Sequence, residues 1–255
     1  MLLAIDIGNT NVTCGIFAGK KLKKQFDLPT WAYNQNRLAK KLKNCPKISA
    51  AIICSVVPKL TRIIQQDLKF LTGRNAYIIG KDLVVPIENR YRIPGQVGQD
   101  RLVNAYAAVC LYACPLVVID SGTAITFDVI SKNKAYLGGL IVPGMRISLE
   151  ALKEKTALLP QVELQPPKTL IGRDTKNSML SGIIFGTAAL SKEVTERIKR
   201  IIGKHLLVIG TGGNIALIKK YSGLKIKINP SLTLIGMELI YNTKIAKNSK
   251  FQKNS

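Results

Sequence analysis

Short apolar runs that end in polar residues or turns dominate the first half of the chain. A run of this length, such as Leu2–Ile5, is typical of a buried strand, whereas apolar residues at helical spacing predict an amphipathic helix. The predicted strands are Leu2–Asp6, Val12–Phe17, Lys23–Leu28, Ala50–Ser55 and Ala76–Ile79, and the predicted helices are Leu38–Leu42, Thr61–Leu71 and Asp100–Ala113. This order indicates an α/β fold in which a mixed sheet has helices on its faces.

The second half starts the same pattern again after Pro115. The predicted strands are Leu116–Ile119, Thr123–Ile130, Ala135–Leu140 and Leu206–Ile209, and the predicted helices are Ser148–Lys153 and Ser178–Ile202. We therefore expect two domains of similar design, residues 1–115 and 116–255, which dock without a flexible linker and form a cleft. The Lys-rich tail from about residue 244 is expected to be frayed.

Composition agrees with a cytoplasmic protein that has a proper core. Of the 255 residues 47% are hydrophobic, yet no apolar run approaches the roughly 20 residues of a membrane span. The start lacks the basic and apolar regions of a secretory signal, because Asp6 interrupts the first apolar run. Five cysteines at spacings that fit neither a disulfide framework nor a zinc site are expected to be buried free thiols.

The net charge of +23 raises the question of a nucleic-acid partner. The lysines are scattered along the chain, although residues 20–43 hold a dense group, and no nucleic-acid-binding motif accompanies them. We therefore interpret the charge as a basic solvated surface and expect neither nucleic acid nor membrane as a partner.

One motif occurs twice, each time directly after a predicted strand. Asp6 is followed by Gly8, Asn9 and Thr10, and Asp120 is followed by Gly122 and Thr123. Loops of small and hydroxylated residues allow backbone N–H groups to approach phosphate oxygens, and a nearby carboxylate can orient a cation that bridges to the phosphate. Two copies predict that one nucleotide is bound from both sides, although each Asp-x-Gly alone could be a simple turn.

A third glycine-rich turn, Gly210–Asn214, follows the late strand and could pass close to an adenine or ribose. The chain has neither a Walker A sequence nor a G-x-G-x-x-G after a strand. A P-loop enzyme and a dinucleotide-binding enzyme are therefore not indicated.

These motifs resemble the phosphate and adenosine motifs of the acetate and sugar kinase/actin-like superfamily. More narrowly, the chain is similar to the type III pantothenate kinases. The strings that carry the resemblance, in the family's order, are DIGNTN, GQDRLVNAYAA, DSGTAITFD, YLGGLIVPG, LEALKEKTALLP, IGRDTKNSMLSGIIFG and TGGN. The resemblance implies a duplicated ribonuclease H-like fold and ATP-dependent phosphorylation of pantothenate, the first step toward coenzyme A.

The resemblance also implies roles for individual residues. ATP is expected to contact Asp6, Ile7, Gly8, Asn9, Thr10, Asn11, Val12, Thr13 and Thr123, with Mg²⁺ held by Asp6 through water. Pantothenate is expected to contact Tyr91, Gly98, Gln99, Asp100, Arg101 and Thr175, with Asp100 as the general base. Asp120 falls on a site for a monovalent cation, K⁺ or NH₄⁺. The family is typically a homodimer in which the pantothenate pocket is completed at the dimer interface.

The residues themselves support these roles in part. Asp100 opens a predicted helix after a glycine-containing loop, and a helix N-terminus favours the ionised carboxylate that a base requires. Asp100 could instead serve only as a helix cap. Arg101 can pair with a substrate carboxylate through two hydrogen bonds. Asp174 departs from the family, which often has Asn there, and would repel a carboxylate substrate if it pointed toward it.

Two alternatives from other classes stay open. Some members of the family were first described as accessory factors of gene expression, so a regulatory protein that binds nucleic acid is one alternative. The other is a kinase for a different small hydroxylated or carboxylate substrate, since the sequence does not display the shape of the pocket. A structural actin-like filament protein is disfavoured because the chain lacks the inserts that such proteins need.

Overall fold

The computed structural model describes the backbone of residues 1–251 and the side chains of residues 1–244, which form two compact units. The first unit combines residues 1–88 and 92–111 with the stretch that begins at Ser231. The second combines residues 89–91 with residues 112–230.

The first unit contains a five-stranded mixed sheet. Its strands are β1 (Leu2–Ile7), β2 (Asn11–Ala18), β3 (Lys21–Pro29), β4 (Ala50–Ser55) and β5 (Tyr77–Ile78). They lie in the order β3-β2-β1-β4-β5, in which β1, β2 and β3 form an antiparallel meander and β1, β4 and β5 run parallel. The central strand β1 is the apolar run at the start of the chain, and all its residues except Asp6 are buried.

Four helices belong to this unit: α1 (Gln35–Leu42), α2 (Pro58–Thr72), α3 (Gln99–Leu111) and α7 (Leu232–Phe251). Short 3₁₀ turns lie at Thr30–Ala32 and Pro94–Gln96. One core forms between the sheet and α1 and α2, with Ile5, Leu38 and Ile64 at its centre. Helix α7 packs on α3 and contacts β1, β2 and β4.

The second unit repeats this design. Its strands are β6 (Leu116–Ser121), β7 (Ala124–Ile130), β8 (Tyr136–Pro143), β9 (Leu207–Thr211) and β10 (Ile226–Ile228), and its helices are α4 (Met145–Lys155), α5 (Thr175–Ile202) and α6 (Ile215–Ser222). The sheet order β10-β9-β6-β7-β8 is the first sheet's order with corresponding strands in corresponding places. Strand β6 pairs antiparallel with β7 and parallel with β9, as β1 does with β2 and β4.

The sequence predicts most elements but not the C-terminal ones. Helix α6, strand β10 and helix α7 are absent from the predicted elements. In the structure the stretch from Ser231 packs with the first compact unit. Apolar residues of α7 such as Leu232, Leu234 and Met237 are buried by α3 and the sheet together, so the helix shows little one-sided periodicity.

The remaining expectations concern the tail, the cysteines and the membrane. The tail expected to be frayed begins at about residue 244. Its backbone is helical as far as Phe251, and residues 252–255 lie outside the described residues. All five cysteines are free thiols, but the expectation of burial holds only for Cys14 and Cys54. Cys45 and Cys114 are partly exposed, and Cys110 is exposed near the end of α3. None of the helices in the described part of the chain is long and apolar enough to cross a membrane.

Candidate functional site

The first phosphate motif forms a tight hairpin turn between β1 and β2. The Gly8 amide donates a hydrogen bond to the Asn11 carbonyl oxygen at 2.9 Å. A Cβ at position 8 would lie 3.2 Å from that oxygen, so glycine permits the close turn. The turn residues Asn9, Thr10 and Asn11 are exposed, as a loop that is to contact a ligand requires.

Thr30, which the sequence does not single out, holds this turn in place. Its hydroxyl donates to the Gly8 carbonyl oxygen at 2.7 Å, and its backbone amide donates to the Thr10 carbonyl oxygen at 2.9 Å. Two hydrogen bonds from one residue fix the loop without using the loop's own amides. Because Thr30 is 20 residues downstream of Thr10, no local motif could have identified it.

Asp6 and Asp100 both act electrostatically on the same buried thiol. Asp6 is partly buried near the end of β1, and it pairs with Thr13 of β2 and Cys54 of β4. Burial raises the pKa of the Cys54 thiol, and the negative charges of Asp6 and then Asp100 raise it further. The structure therefore brings together two carboxylates that lie 94 residues apart in the sequence.

Asp100 is the second residue of α3 and has a perturbed pKa. Burial raises the pKa of this carboxyl, while the backbone amide and the guanidinium of Arg101 oppose the shift. The Arg101 amide donates to Asp100 Oδ1 at 2.9 Å. A Cβ at Gly98 would lie 2.5 Å from the same oxygen, so a larger residue there would displace the carboxylate. A carboxylate whose pKa is raised accepts a proton more readily than one that keeps the ordinary pKa of an exposed carboxylate.

Contacts on the far side of α3 hold the helix that carries Asp100. The Thr233 hydroxyl donates to Asn104 Oδ1 at 2.8 Å. Gly236 of α7 lies so close that a Cβ there would come within 2.6 Å of the Val103 carbonyl oxygen. Gln99 packs on Gly80, where a Cβ would lie 2.8 Å from the Gln99 side chain. The C-terminal helix thus takes part in placing Asp100.

The second phosphate motif forms the corresponding turn of the second unit. The Gly122 amide donates to the Ala124 carbonyl oxygen at 3.0 Å, and Thr123 is exposed. The Gly144 amide donates to the Thr123 carbonyl oxygen at 3.1 Å, and a Cβ at Gly144 would collide with that oxygen. Gly144 follows β8 and supports the turn from behind.

The third glycine-rich turn lies directly against the second phosphate motif. Thr211 pairs with Asp120 across β9 and β6, and the Asn214 amide donates to the Ser121 carbonyl oxygen at 3.1 Å. Gly212 has φ +86°, and a Cβ there would lie 2.5 Å from Asp120 Oδ1 and 2.6 Å from Ser121 N. The third glycine-rich turn therefore lies beside Asp120, a position that could not be predicted from its sequence.

Thr175 begins α5, and Asp174 is the cap of that helix. Asp174 Oδ1 accepts from the Asn177 backbone amide at 2.8 Å, and Oδ2 accepts from the Asn177 side-chain amide at 2.6 Å. These hydrogen bonds lower the pKa of the exposed Asp174 carboxyl. The carboxylate therefore faces its own helix, and an asparagine could cap it in the same way. Thr175 is exposed beside an open pocket of about 670 Å³.

The predicted site residues thus fall into two groups. Residues 6–13 and 98–101 belong to the first unit, and Tyr91, Asp120, Thr123 and Thr175 belong to the second. No three His, Cys, Asp or Glu side chains gather as a metal site among the described residues. Asp6, at the end of a strand beside an exposed phosphate-type turn, fits Mg²⁺, which is usually held by one or two carboxylates, water and substrate phosphates.

Comparisons with known proteins agree with these motifs. A family model described as type III pantothenate kinase matches residues 2–197. The type III pantothenate kinase of Dehalococcoides mccartyi is 38% identical over 94% of this chain and 96% of its own. That of Finegoldia magna is 39% identical over the same shares. A solved structure from Sinorhizobium meliloti, assigned as a 2-dehydro-3-deoxygalactonokinase, covers 95% of this chain and 96% of its own with a TM-score of 0.60 at 13% identity. The two equivalent sheets and this likeness confirm the duplicated ribonuclease H-like fold.

Proposed function

Because this chain belongs to the type III pantothenate kinase family, an ATP-dependent kinase family, we propose that it phosphorylates pantothenate to 4'-phosphopantothenate, the first step of coenzyme A biosynthesis. The observation that carries the proposal is the placement of Asp100. This partly buried carboxylate has a raised pKa and is the second residue of α3. Together with Asp6 of the first phosphate motif it raises the pKa of the Cys54 thiol. A proton acceptor and a phosphate-type loop therefore belong to one compact unit.

The phosphate groups of ATP bind the turn at residues 6–13, and Thr123 provides a further contact. Exposed turn residues Asn9, Thr10 and Asn11 offer amide and hydroxyl donors to phosphate oxygens. Asp6 would hold Mg²⁺ through water, and the ion, when bound, would neutralise charge on the phosphates of ATP. Asp120 binds K⁺ or NH₄⁺, with Gly212 and the turn that contains it packed against its carboxylate.

Asp100 accepts the proton of the primary hydroxyl of pantothenate. The hydroxyl oxygen attacks the γ-phosphorus in line, the bond from that phosphorus to the β,γ-bridging oxygen breaks, and ADP leaves with the electron pair. Proton transfer to Asp100 occurs late, as the new bond forms. Arg101 pairs with the carboxylate of pantothenate, and Tyr91, Gly98, Gln99 and Thr175 complete the contacts on this chain. A second copy of the chain completes the pocket in a homodimer.

An acceptor panel tests the proposal. Purified protein with Mg-ATP is given pantothenate, acetate or a hexose, in K⁺, NH₄⁺ or Na⁺, and ADP release is measured while the product is identified by mass. We expect a pantothenate-dependent product that is roughly 80 Da heavier than the substrate, the mass of the one HPO₃ group that phosphoryl transfer adds. It should form faster in K⁺ or NH₄⁺ than in Na⁺. Turnover with acetate or a hexose and none with pantothenate would overturn the choice of substrate. Equal rates in all three ions would overturn the cation site at Asp120.

A further inference from the structure

A chain of hydrogen bonds runs through the interior of the second unit. The Thr126 hydroxyl donates to Asp128 Oδ2 at 2.8 Å, and the Tyr136 hydroxyl donates to Asp128 Oδ1 at 2.9 Å. Asp128 and Tyr136 are fully buried. Thr126 pairs with Asp120 across β7 and β6, so the chain starts beside the proposed cation ligand. None of these three residues has a role predicted from the sequence, although they stand in the strings DSGTAITFD and YLGGLIVPG.

The other end of this hydrogen-bond network, Tyr136, contacts the backbone of residues 89–91, the segment that contains Tyr91. Asn89 lies opposite Tyr136 in a short parallel pairing, and the Arg90 amide donates to the Tyr136 carbonyl oxygen at 2.9 Å. The Tyr91 amide donates to Asn89 Oδ1 at 3.0 Å. Residues 89–91 thereby belong to the second unit although the residues on both sides of them belong to the first.

The ring of Tyr91 lies against Gly138 and against Tyr136 of the same network. A Cβ at Gly138 would lie 3.1 Å from a carbon of the Tyr91 ring, so the ring rests directly on the Gly138 backbone. Gly138 has φ +116°, a conformation that side chains rarely adopt. The rings of Tyr91 and Tyr136 are 6.4 Å apart between centroids and tilted by 42°, within the range of favourable aromatic pairs.

We propose that Asp128 and Tyr136 are positioning residues that fix Tyr91 for its contact with pantothenate. This inference rests on the proposed function for the identity of the substrate. A fully buried carboxylate is costly to desolvate, and well-packed apolar residues could often replace it without loss of stability. Asp128 instead holds the Tyr136 hydroxyl and so gives the Tyr136 ring one defined position. Tyr91 lies against this ring and is positioned by it. Neither residue touches the reacting atoms.

Tyr136→Phe is the sharpest variant because it removes one oxygen and keeps the ring. We expect the KM for pantothenate to rise about tenfold, because a Tyr91 ring that is no longer held in place loses about 1.4 kcal/mol of its contact with the substrate, with kcat and the KM for ATP within about twofold of wild type. In a Tyr91→Ala background, Tyr136→Phe should change the KM for pantothenate by less than about twofold, because its effect passes through Tyr91.

Tyr112→Phe is the matched control. It also removes a tyrosine hydroxyl of the second unit, one that accepts a hydrogen bond from Asn229 Nδ2 at 3.2 Å. It should leave the KM for pantothenate unchanged. Asp128→Asn, which keeps an acceptor oxygen for one hydroxyl, should restore part of what Asp128→Ala loses. Additive effects of Tyr136→Phe and Tyr91→Ala, in an enzyme that does turn over pantothenate, would overturn the inference and leave the proposed function standing.

A second measurement does not depend on turnover. In protein labelled with 3-fluorotyrosine, eight ¹⁹F resonances are expected, and the one lost in Tyr91→Phe belongs to Tyr91. Tyr136→Phe should shift and broaden the Tyr91 resonance, whereas Tyr112→Phe should leave it in place. A Tyr91 resonance that is unaffected by Tyr136→Phe would overturn the inference even if the wild-type protein failed to phosphorylate pantothenate.

Discussion

Gly212→Ala probes the contact between the third glycine-rich turn and the second phosphate motif. At φ +86° an alanine is strained by about 1–2 kcal/mol. Its Cβ would also lie 2.6 Å from Ser121 N and 2.5 Å from Asp120 Oδ1, so the turn must move away from β6. Overpacking of this kind costs about 1–3 kcal/mol. Together the two effects predict a loss of roughly 2–5 kcal/mol.

The neighbouring glycine is a built-in control. A Cβ at Gly213 would meet no atom within 4 Å, and its φ lies outside the left-handed region. Gly213→Ala should therefore change the stability by less than about 0.5 kcal/mol. Both variants differ from wild type by the same methyl group in the same turn, so only the surroundings distinguish them.

Thermal unfolding followed by circular dichroism measures the difference. For a chain of this size each kcal/mol corresponds to about 2–4 °C, so Gly212→Ala should lower Tm by roughly 4–20 °C and Gly213→Ala by at most about 2 °C. Gly212→Ala should also weaken the activation by K⁺ that we propose for Asp120, because the methyl group displaces the Asp120 carboxylate. Equal Tm values for the two variants would refute the packing of this turn against Asp120 and Ser121.

Three further predictions follow from Asp100, Asp174 and Gly236. The pKa of Asp100 is higher in the folded than in the unfolded chain, so this carboxyl costs stability as pH rises through its folded pKa. Asp100→Asn should therefore raise Tm at pH 7, with the gain shrinking toward pH 4, while it lowers turnover. Asp174→Asn should leave Tm and the KM for pantothenate unchanged, whereas Asp174→Ala should lower Tm through the lost cap. Gly236→Ala should lower both Tm and kcat, since its Cβ would push α7 from α3; an unchanged kcat would separate α7 from the placement of Asp100.

Elements with a local cause could be predicted from the sequence. Strands β1 and β6 are apolar runs that end at Asp-x-Gly, and the chain must turn there, so the sequence alone locates both phosphate motifs. Asp100 is predicted at a helix start because Gly98 precedes it and an apolar helix follows. The second position of Asp100 in α3 agrees with that prediction.

Features that depend on distant residues could not be predicted. Thr30 fixes the turn at Gly8 from beyond the end of β3, and Asp128 meets Tyr136 only when β7 and β8 pair. Helix α7 returns to the first unit because it buries apolar residues against α3, which its position in the chain does not reveal. The direction of the Asp174 side chain could not be predicted either, because the residue type alone does not show that the carboxylate faces Asn177.

The role of Asp100 as proton acceptor is tested most directly by the rate at which 4'-phosphopantothenate forms when Asp100 is replaced by Asn. Glu193→Gln is the control, because it also removes one negative charge, from an exposed ion pair with Arg197 on α5. With saturating Mg-ATP and pantothenate in K⁺, we expect Asp100→Asn to lower kcat by about 10²–10⁴-fold and Glu193→Gln to stay within about twofold of wild type. A kcat for Asp100→Asn within about twofold of wild type would contradict the assignment of this carboxylate as the proton acceptor.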